Sequence, residues 1–307
     1  MSRPPGACAG QVALVTGASK GGTGTGIALR LAAEGARVAI TARSAAGLEA
    51  TLERIRAMGG SGMAMPVDLA DPAGGRDTLV TRVEAELGPI DILVNNAAMG
   101  GYKPFEDWRP AQLEAIQQVN VWAPWLLMSQ VVPGMRTRGR GWVLNLTSFA
   151  GELPPGPPFP TNKPATAGSA YGSTKAALNR LTLSVASETY GQGIAVNALT
   201  PQAAIATPDL LAAGWVDASY MEPLETMAEA ALALVTGDPA VLTGRIAYSL
   251  QLLAELDRPV RDLAGDELVA GWQPADLAAV IAGHARRLEG SGWPSPFEFG
   301  RPSSPAG

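Results

Sequence analysis

Cysteine and histidine occur once each in this chain of 307 residues. Cys8 alone rules out an internal disulfide and a metal site built from cysteines. His284 is the single candidate for every role histidine commonly fills. A His-rich metal site, a Ser-His-Asp triad and a histidine general base would all compete for it. It sits in Ala282-Gly283-His284-Ala285-Arg286-Arg287, which reads as the basic end of a helix, where cations suit the dipole. No metal is therefore expected, and proton chemistry falls to Tyr, Lys, Asp or Glu. Basic clusters are also missing, and the formal charge is −5. Nucleic acid is not an expected partner, because phosphate neutralisation needs grouped Lys and Arg. No apolar run approaches the ~20 residues of a membrane span. Met1 to Gly10 lacks a charged segment followed by a long apolar one, so no signal peptide is read and a cytoplasmic location is expected.

The composition, 47% hydrophobic and 17% charged, allows a large buried core, as one α/β domain or two smaller ones. Gln11 to Thr16 is a short apolar, β-branched run and reads as a buried strand. Gly17 to Gly26 then holds five glycines in ten residues, and Ile27 to Ala32 reads as the start of a helix. Strand, glycine loop and helix in that order form a context for phosphate binding. Glycines let the backbone approach a pyrophosphate, and the helix N-terminus supplies N–H groups and positive potential. Arg37 to Arg43 is the second strand. Where NAD-binding folds carry an acid for the ribose 2′-hydroxyl, this chain has Ala42, then Arg43 and Ser44. A cation there suits a 2′-phosphate, and Lys20 in the glycine loop offers a second, so NADP(H) is expected over NAD(H), with NAD(H) still usable.

Helices are expected over Ser44 to Met58 and Pro72 to Leu87, the latter with proline in its first turn. Strands are expected over Met63 to Leu69, which carries Asp68, and Ile90 to Val94, which runs into Asn95-Asn96-Ala97-Ala98. Strands alternating with helices at this spacing predict a doubly wound α/β fold: a parallel sheet of about seven strands with helices on both faces. Ligands in such sheets bind beyond the carboxyl ends of the strands, where Gly17, Ala42, Asp68 and Asn95 all fall. Arg109 to Met135 reads as a long helix carrying Asn120, interrupted or bent near Pro124. Gly141 to Thr147 is the fifth strand, leading to Ser148. Gly151 to Gly168 holds six prolines and no helical period, so it reads as a functional or disordered loop. Ser169 to Tyr190 is a helix, Ile194 to Leu199 the sixth strand, Leu224 to Val235 a helix and Arg245 to Ser249 the seventh strand. A weak helix at Pro274 to Leu288 and a poorly ordered tail from Gly290 to Gly307 complete the reading.

Tyr171 and Lys175 lie four residues apart in Ser169-Ala170-Tyr171-Gly172-Ser173-Thr174-Lys175. On a helix that spacing places both on one face, about one turn apart. A phenol with its usual pKa of about 10 is a poor proton carrier at neutral pH. A nearby ammonium favours the phenolate and brings the pair into range for acid–base work near pH 7. By itself the pair is equally compatible with an amphipathic helix that has a tyrosine at its core edge.

Taken together, these motifs resemble those of the short-chain dehydrogenase/reductase family, in family order, from about Val12 to Ser249. The resemblance implies a Rossmann-type domain over residues 1–251, followed by a C-terminal extension over 252–307. It implies a cofactor loop with Gly17, Ser19, Lys20, Gly22 and Gly24, apparently one residue longer than usual. Asp68 would meet the adenine, and Asn95, Ala97, Pro201 and Thr207 would line the rest of the cofactor site with Arg43, Tyr171 and Lys175. Asn197 and Pro201 fit the family's strand-six motif. Asn120, Ser148, Tyr171 and Lys175 match its catalytic tetrad. Tyr171 would protonate or deprotonate the substrate oxygen, and Lys175 would lower its pKa and bind the nicotinamide ribose. Ser148 would hold the carbonyl oxygen, and Asn120 a water linking Lys175 to bulk solvent. The partner implied is a small carbonyl or alcohol, and homo-oligomers, dimeric or tetrameric, are common in the family.

Four features depart from the family pattern. Ser148 and Tyr171 are further apart than usual, with the excess in the proline-rich stretch. Gln202 replaces the glycine usual after the strand-six proline. Ala98 replaces a glycine, and the chain continues well past the usual end. Phe149, Leu153, Phe159, Leu210, Leu211, Trp215 and Met221 give the expected pocket wall an apolar character, which predicts a largely apolar substrate; the alternative is that they cover the sheet. Two other readings stay open. One is a cofactor-binding sensor or scaffold without turnover. The other is an epimerase or dehydratase, which also uses a Tyr/Lys pair.

Overall fold

The computed structural model describes residues 6–101, 103–153, 168–214, 216–218 and 221–271. Seven strands form one sheet: β1 (Val12–Thr16), β2 (Arg37–Ala42), β3 (Ser61–Pro66), β4 (Ile92–Asn95), β5 (Gly141–Leu146), β6 (Ile194–Thr200) and β7 (Ile246–Tyr248). Their order is β3-β2-β1-β4-β5-β6-β7, and every pairing is parallel. The chain winds outward from β1 to β3, then crosses back to place β4 on the other side of β1. That reversal opens a crevice at the carboxyl ends of β1 and β4.

The helices are α1 (Thr23–Ala33), α2 (Ala45–Ala57), α3 (Leu79–Leu87), α4 (Pro110–Gln117), α5 (Ala123–Arg138), α6 (Ser169–Glu188), α7 (Pro208–Ala213), α8 (Leu224–Thr236) and α9 (Ser249–Glu255). Two cores result, one on each sheet face. Ile27, Leu48, Met227 and Leu252 bring α1, α2, α8 and α9 onto one face. Leu79, Leu127 and Leu178 bring α3, α5 and α6 onto the other. Parallel strands covered on both sides need apolar side chains in both directions, and β1, β5 and β6 are buried at every position.

The structure adjusts several expected boundaries. Helix α1 begins at Thr23, so Gly24 and Gly26 lie inside it. The expected helix from Pro72 is a turn followed by a 3-10 segment, Arg76–Thr78, and then α3, because Gly75 adopts φ +88. The long helix is interrupted near Pro124 as expected: a π-helical turn, Gln118–Trp122, joins α4 to α5. Pro124 has no N–H to give the Asn120 carbonyl four residues back, and the ladder switches so that Ala123 N–H donates to Gln118 O.

The expected boundary after residue 251 falls inside α9. Beyond that helix, Arg258 Nε donates to Glu229 of α8 at 2.6 Å, and Val260 and Leu263 pack on the α1/α8 face. Glu229 also accepts from Arg30 of α1 at 3.0 Å. The weak helix at Pro274 to Leu288, His284 and the tail from Gly290 lie outside the described residues, as does most of the proline-rich stretch. No helix among the described residues is long and apolar enough to cross a membrane.

Candidate active site

The glycine loop is shaped by what surrounds it. Thr16 Oγ1, at the end of β1, accepts from the N–H groups of Asn96 and Ala97, both at 3.0 Å. Asn96 Nδ2 returns to Thr16 O at 2.8 Å and Gly17 O at 3.2 Å. This ties the ends of β1 and β4 across the crevice. Gly17 has φ +73, and a Cβ there would lie 2.8 Å from Ala97 Cα. A Cβ on Gly24 would meet Gly17 O at 2.6 Å and collide with Asn96 Nδ2. Gly24 thus serves close packing of α1 beneath the loop. The loop also packs on α2, where only a glycine at position 47 leaves room for Ser19 O. Gly22 precedes α1, and no side chain caps the helix. Its first N–H groups therefore face the loop without a side-chain acceptor, an arrangement that fits a dinucleotide pyrophosphate.

Around this cradle the other expected cofactor residues divide. Arg43 follows β2, is exposed and has no acidic partner among the described residues. Lys20 reaches the other way, to Asp209 of α7 at 2.9 Å, in a pair about 70% exposed on each side. Such pairs contribute roughly 0–1 kcal/mol, so Lys20 remains available to an anion. Asp68 lies two residues past β3, where Oδ1 accepts from Ala70 N at 2.9 Å. Asn95 turns inward: its Nδ2 donates to Asn145 Oδ1 at 2.8 Å, and Asn145 Nδ2 in turn donates to Thr182 Oγ1 of α6 at 2.9 Å. The amide of Asn95 is thus buried in the sheet, and Asn96 faces the loop instead. Thr207 caps α7 by accepting from Leu210 N, and its Cγ2 would lie 3.3 Å from a Cβ on Gly22.

The four expected catalytic residues converge on α6. Lys175 is 2% exposed, and its Nζ donates to Leu146 O, the last carbonyl of β5, at 2.7 Å. It also lies 5.6 Å from the centre of the Tyr171 ring. Burial pushes the Lys175 ammonium down from the usual range to about 8. Asn120, in the π turn, exchanges bonds with Met99 N and O, both at 2.8 Å, and Nδ2 also donates to Thr174 Oγ1 at 2.9 Å. Its side chain therefore ties the loop after β4 to the turn of α6 next to Lys175. Ser148 begins a 3-10 turn, Phe149–Gly151, with Oγ accepting from Ala150 N at 3.2 Å. That turn lies directly on α6: a Cβ on Gly151 would meet Lys175 C at 2.8 Å, and one on Gly172 would meet Ala150 O at 2.5 Å.

Phe149, Leu153 and Leu211 are 46–48% exposed near this end of the sheet. Met221, expected in the pocket wall, is buried at 2% and does not line it. Phe159 and Trp215 lie outside the described residues. Thr16 and Asn96 stand in the sequence motifs without a role of their own, and Glu222 belongs to none. Glu222 is fully buried, and its Oε2 accepts from Gln202 N at 2.7 Å and Ala203 N at 3.2 Å. Burial pushes its carboxyl up to about 7, opposed by bonds from Ser249 and those two N–H groups.

A parallel sheet with an open helix N-terminus and glycine cradle at the end of β1, and a buried lysine beside a tyrosine at the end of β5, is the architecture of a dinucleotide-binding α/β protein. The comparisons narrow the class. The short chain dehydrogenase family model matches residues 11–209. A fatty acyl-CoA reductase from Mycobacterium tuberculosis is 32% identical over 251 residues, 80% of each chain. A short chain dehydrogenase from Pseudocercospora fijiensis is 36% identical over 195 residues, and this match spans 62% of the chain and 59% of the fungal protein's length. Among solved structures, a metagenomic short-chain oxidoreductase in complex with NADP superposes with a TM-score of 0.64 at 32% identity, covering 77% of this chain and 95% of that one. The chain belongs to the short-chain dehydrogenase family.

Proposed function

We propose that the protein is an NADP(H)-dependent oxidoreductase acting between a carbonyl and a secondary alcohol on a largely apolar small molecule. The observation that carries this reading is the buried Lys175, held to the end of β5 beneath Tyr171 on the same helix face. The bound nicotinamide would supply or accept the hydride. Tyr171 gives a proton to the substrate oxygen in reduction and takes it in oxidation. Lys175 favours the phenolate, and Ser148 Oγ holds the oxygen. Gly17, Ser19 and Gly22 with the start of α1 would hold the pyrophosphate, Arg43 and Lys20 the 2′-phosphate, and Asp68 the adenine side. Two observations support the cofactor and substrate classes: a relative named as a fatty acyl-CoA reductase and a structural neighbour in complex with NADP. The exposed apolar side chains Phe149, Leu153 and Leu211 also favour an apolar substrate. The reading extends to a homo-oligomer, supported by Trp122 and Trp125, each 52% exposed, beside a groove between α5 and α6. Sedimentation tests this, since Trp125→Glu is expected to leave a monomer.

The decisive experiment follows nicotinamide absorbance with a panel of apolar ketones and their alcohols. Turnover is expected with the wild-type chain and is lost in Tyr171→Phe, whose NADPH binding stays near wild type. Substantial activity in that variant, or a preference for small polar sugars, contradicts the proposal.

A further inference from the structure

Buried carboxylates normally keep a cation close, as Glu229 does with Arg30 and Arg258. Glu222 does not: no Lys or Arg among the described residues pairs with it, and its Oε1 has no partner there. For stability alone an apolar side chain would serve better at a site without a cation. What the residue does hold is main chain. Oε2 takes the N–H groups of Gln202 and Ala203. The Glu222 N–H donates to Ala204 O at 2.8 Å, its carbonyl accepts from Ala206 N at 2.9 Å, and it forms a parallel bridge with Ile205. Ser249 Oγ, also fully buried, accepts from Gln202 N at 3.0 Å, so the hydroxyl and the carboxylate share that N–H. One residue thus sets five consecutive backbone units.

Those units form a strap with a definite route. It leaves the carboxyl end of β6 at Pro201, where ligands meet a parallel sheet. It ends at Thr207, against Gly22 of the glycine loop, and α7 beyond it carries the Asp209 that pairs with Lys20. The strap therefore runs from the strand end beside the proton machinery to the pyrophosphate cradle. Gln202, 7% exposed, has both amide atoms buried without a partner, so its side chain does not anchor the strap. The anchor is Glu222.

We propose that Glu222 is a positioning residue: its carboxylate fixes the strap over residues 202–206 in the shape that binds the dinucleotide, and so sets cofactor affinity. This rests on the NADP(H) reading above. The test compares full-length wild type, Glu222→Ala and Glu222→Gln for NADPH dissociation constant by fluorescence, and for kcat and the NADPH KM. Glu222→Ala is expected to raise Kd and KM together by about tenfold, as loss of charge-assisted bonds implies, with a smaller change in kcat. Glu222→Gln keeps an acceptor oxygen in place and recovers most of that affinity. A merely structural role predicts the opposite split: less active protein, hence lower apparent kcat, with KM unchanged. Should Glu222→Ala fail to fold, Ser249→Ala takes its place, since it leaves the carboxylate but removes the hydroxyl that shares the Gln202 N–H; a raised KM supports the proposal and a wild-type KM overturns it. Wild-type Kd and KM in Glu222→Ala overturn the proposal while the functional reading stands. A wild-type chain that binds no NADP(H) removes both.

Discussion

Lys175 Nζ sits 2.7 Å from the carbonyl oxygen of Leu146, so the cationic group of the site is fastened to the strand that delivers Ser148 two residues later. Three of the four residues proposed for proton transfer are thereby linked, because the same lysine lies under the Tyr171 ring. This bond makes their spacing a property of the sheet and α6 together.

The burial that makes this bond possible gives Lys175 a pH signature. Its ammonium is held down to about 8 in the folded chain, against 10.5 for an unperturbed lysine. Below pH 8 the site carries the positive charge. Between about 8 and 10.5 the folded chain has lost a proton that the unfolded chain keeps, so the charged form is penalised only at lower pH and stability rises with pH across that window. The activity should run the other way. The value of kcat/KM for NADPH, which reports groups of the free enzyme, is expected to fall above pH 8. Lys175→Met should abolish turnover without lowering the melting temperature, since it removes a buried charge. A pH-independent kcat/KM from 7 to 10 contradicts the assignment.

In the proposed function, cofactor choice depends on the end of β2. Arg43 is exposed and unpaired among the described residues, so a 2′-phosphate meets no competing acid there. Arg43→Asp is expected to reverse the preference, lowering kcat/KM for NADPH by about a hundredfold, which corresponds to a lost charge-assisted contact plus repulsion. NADH should be used at least as well as before. Steady-state kinetics with both cofactors decide it, and an unaltered ratio ends the claim.

The ionic junction at Glu229 anchors the chain after β7. Arg30 and Glu229 are each 3% exposed at their side chains, and Arg258 and Glu34, which pairs with Arg30, complete the group. Removing Glu229 leaves Arg30 with Glu34 alone and Arg258 without this acid, so Glu229→Ala should lower unfolding free energy by about 3 kcal/mol in urea melts. Arg258→Ala, at a side chain 27% exposed, should be milder. Equal effects from both would show that the segment past α9 is not secured this way.

The sheet and the Tyr/Lys helix could be read from the sequence because both rest on local periodicity: apolar runs of strand length, and a four-residue spacing that puts Tyr171 and Lys175 on one face. Where contacts are long-range, the reading slipped. The neighbours Asn95 and Asn96 look alike in sequence, but β4 ends at Asn95, whose side chain enters the sheet, while that of Asn96 turns to the glycine loop. The sequence suggests too late a start for α1 because Thr23 to Gly26 has poor helix propensity, and packing of Gly24 under Asn96 overrides it. Helix α9 leaves no mark in the sequence, since no breaker separates Tyr248 from Ser249. Glu222 gave no signal at all, for no local pattern marks an acid that folds back onto N–H groups twenty residues upstream.

The interlock of Gly151 and Gly172 has a consequence for how this chain can change. Each glycine admits the backbone of the other's segment, so the turn after Ser148 and the first turn of α6 are seated directly against one another. That contact sets the register of Ser148 with Tyr171, and changes in the length of chain between them are expected to leave it in place.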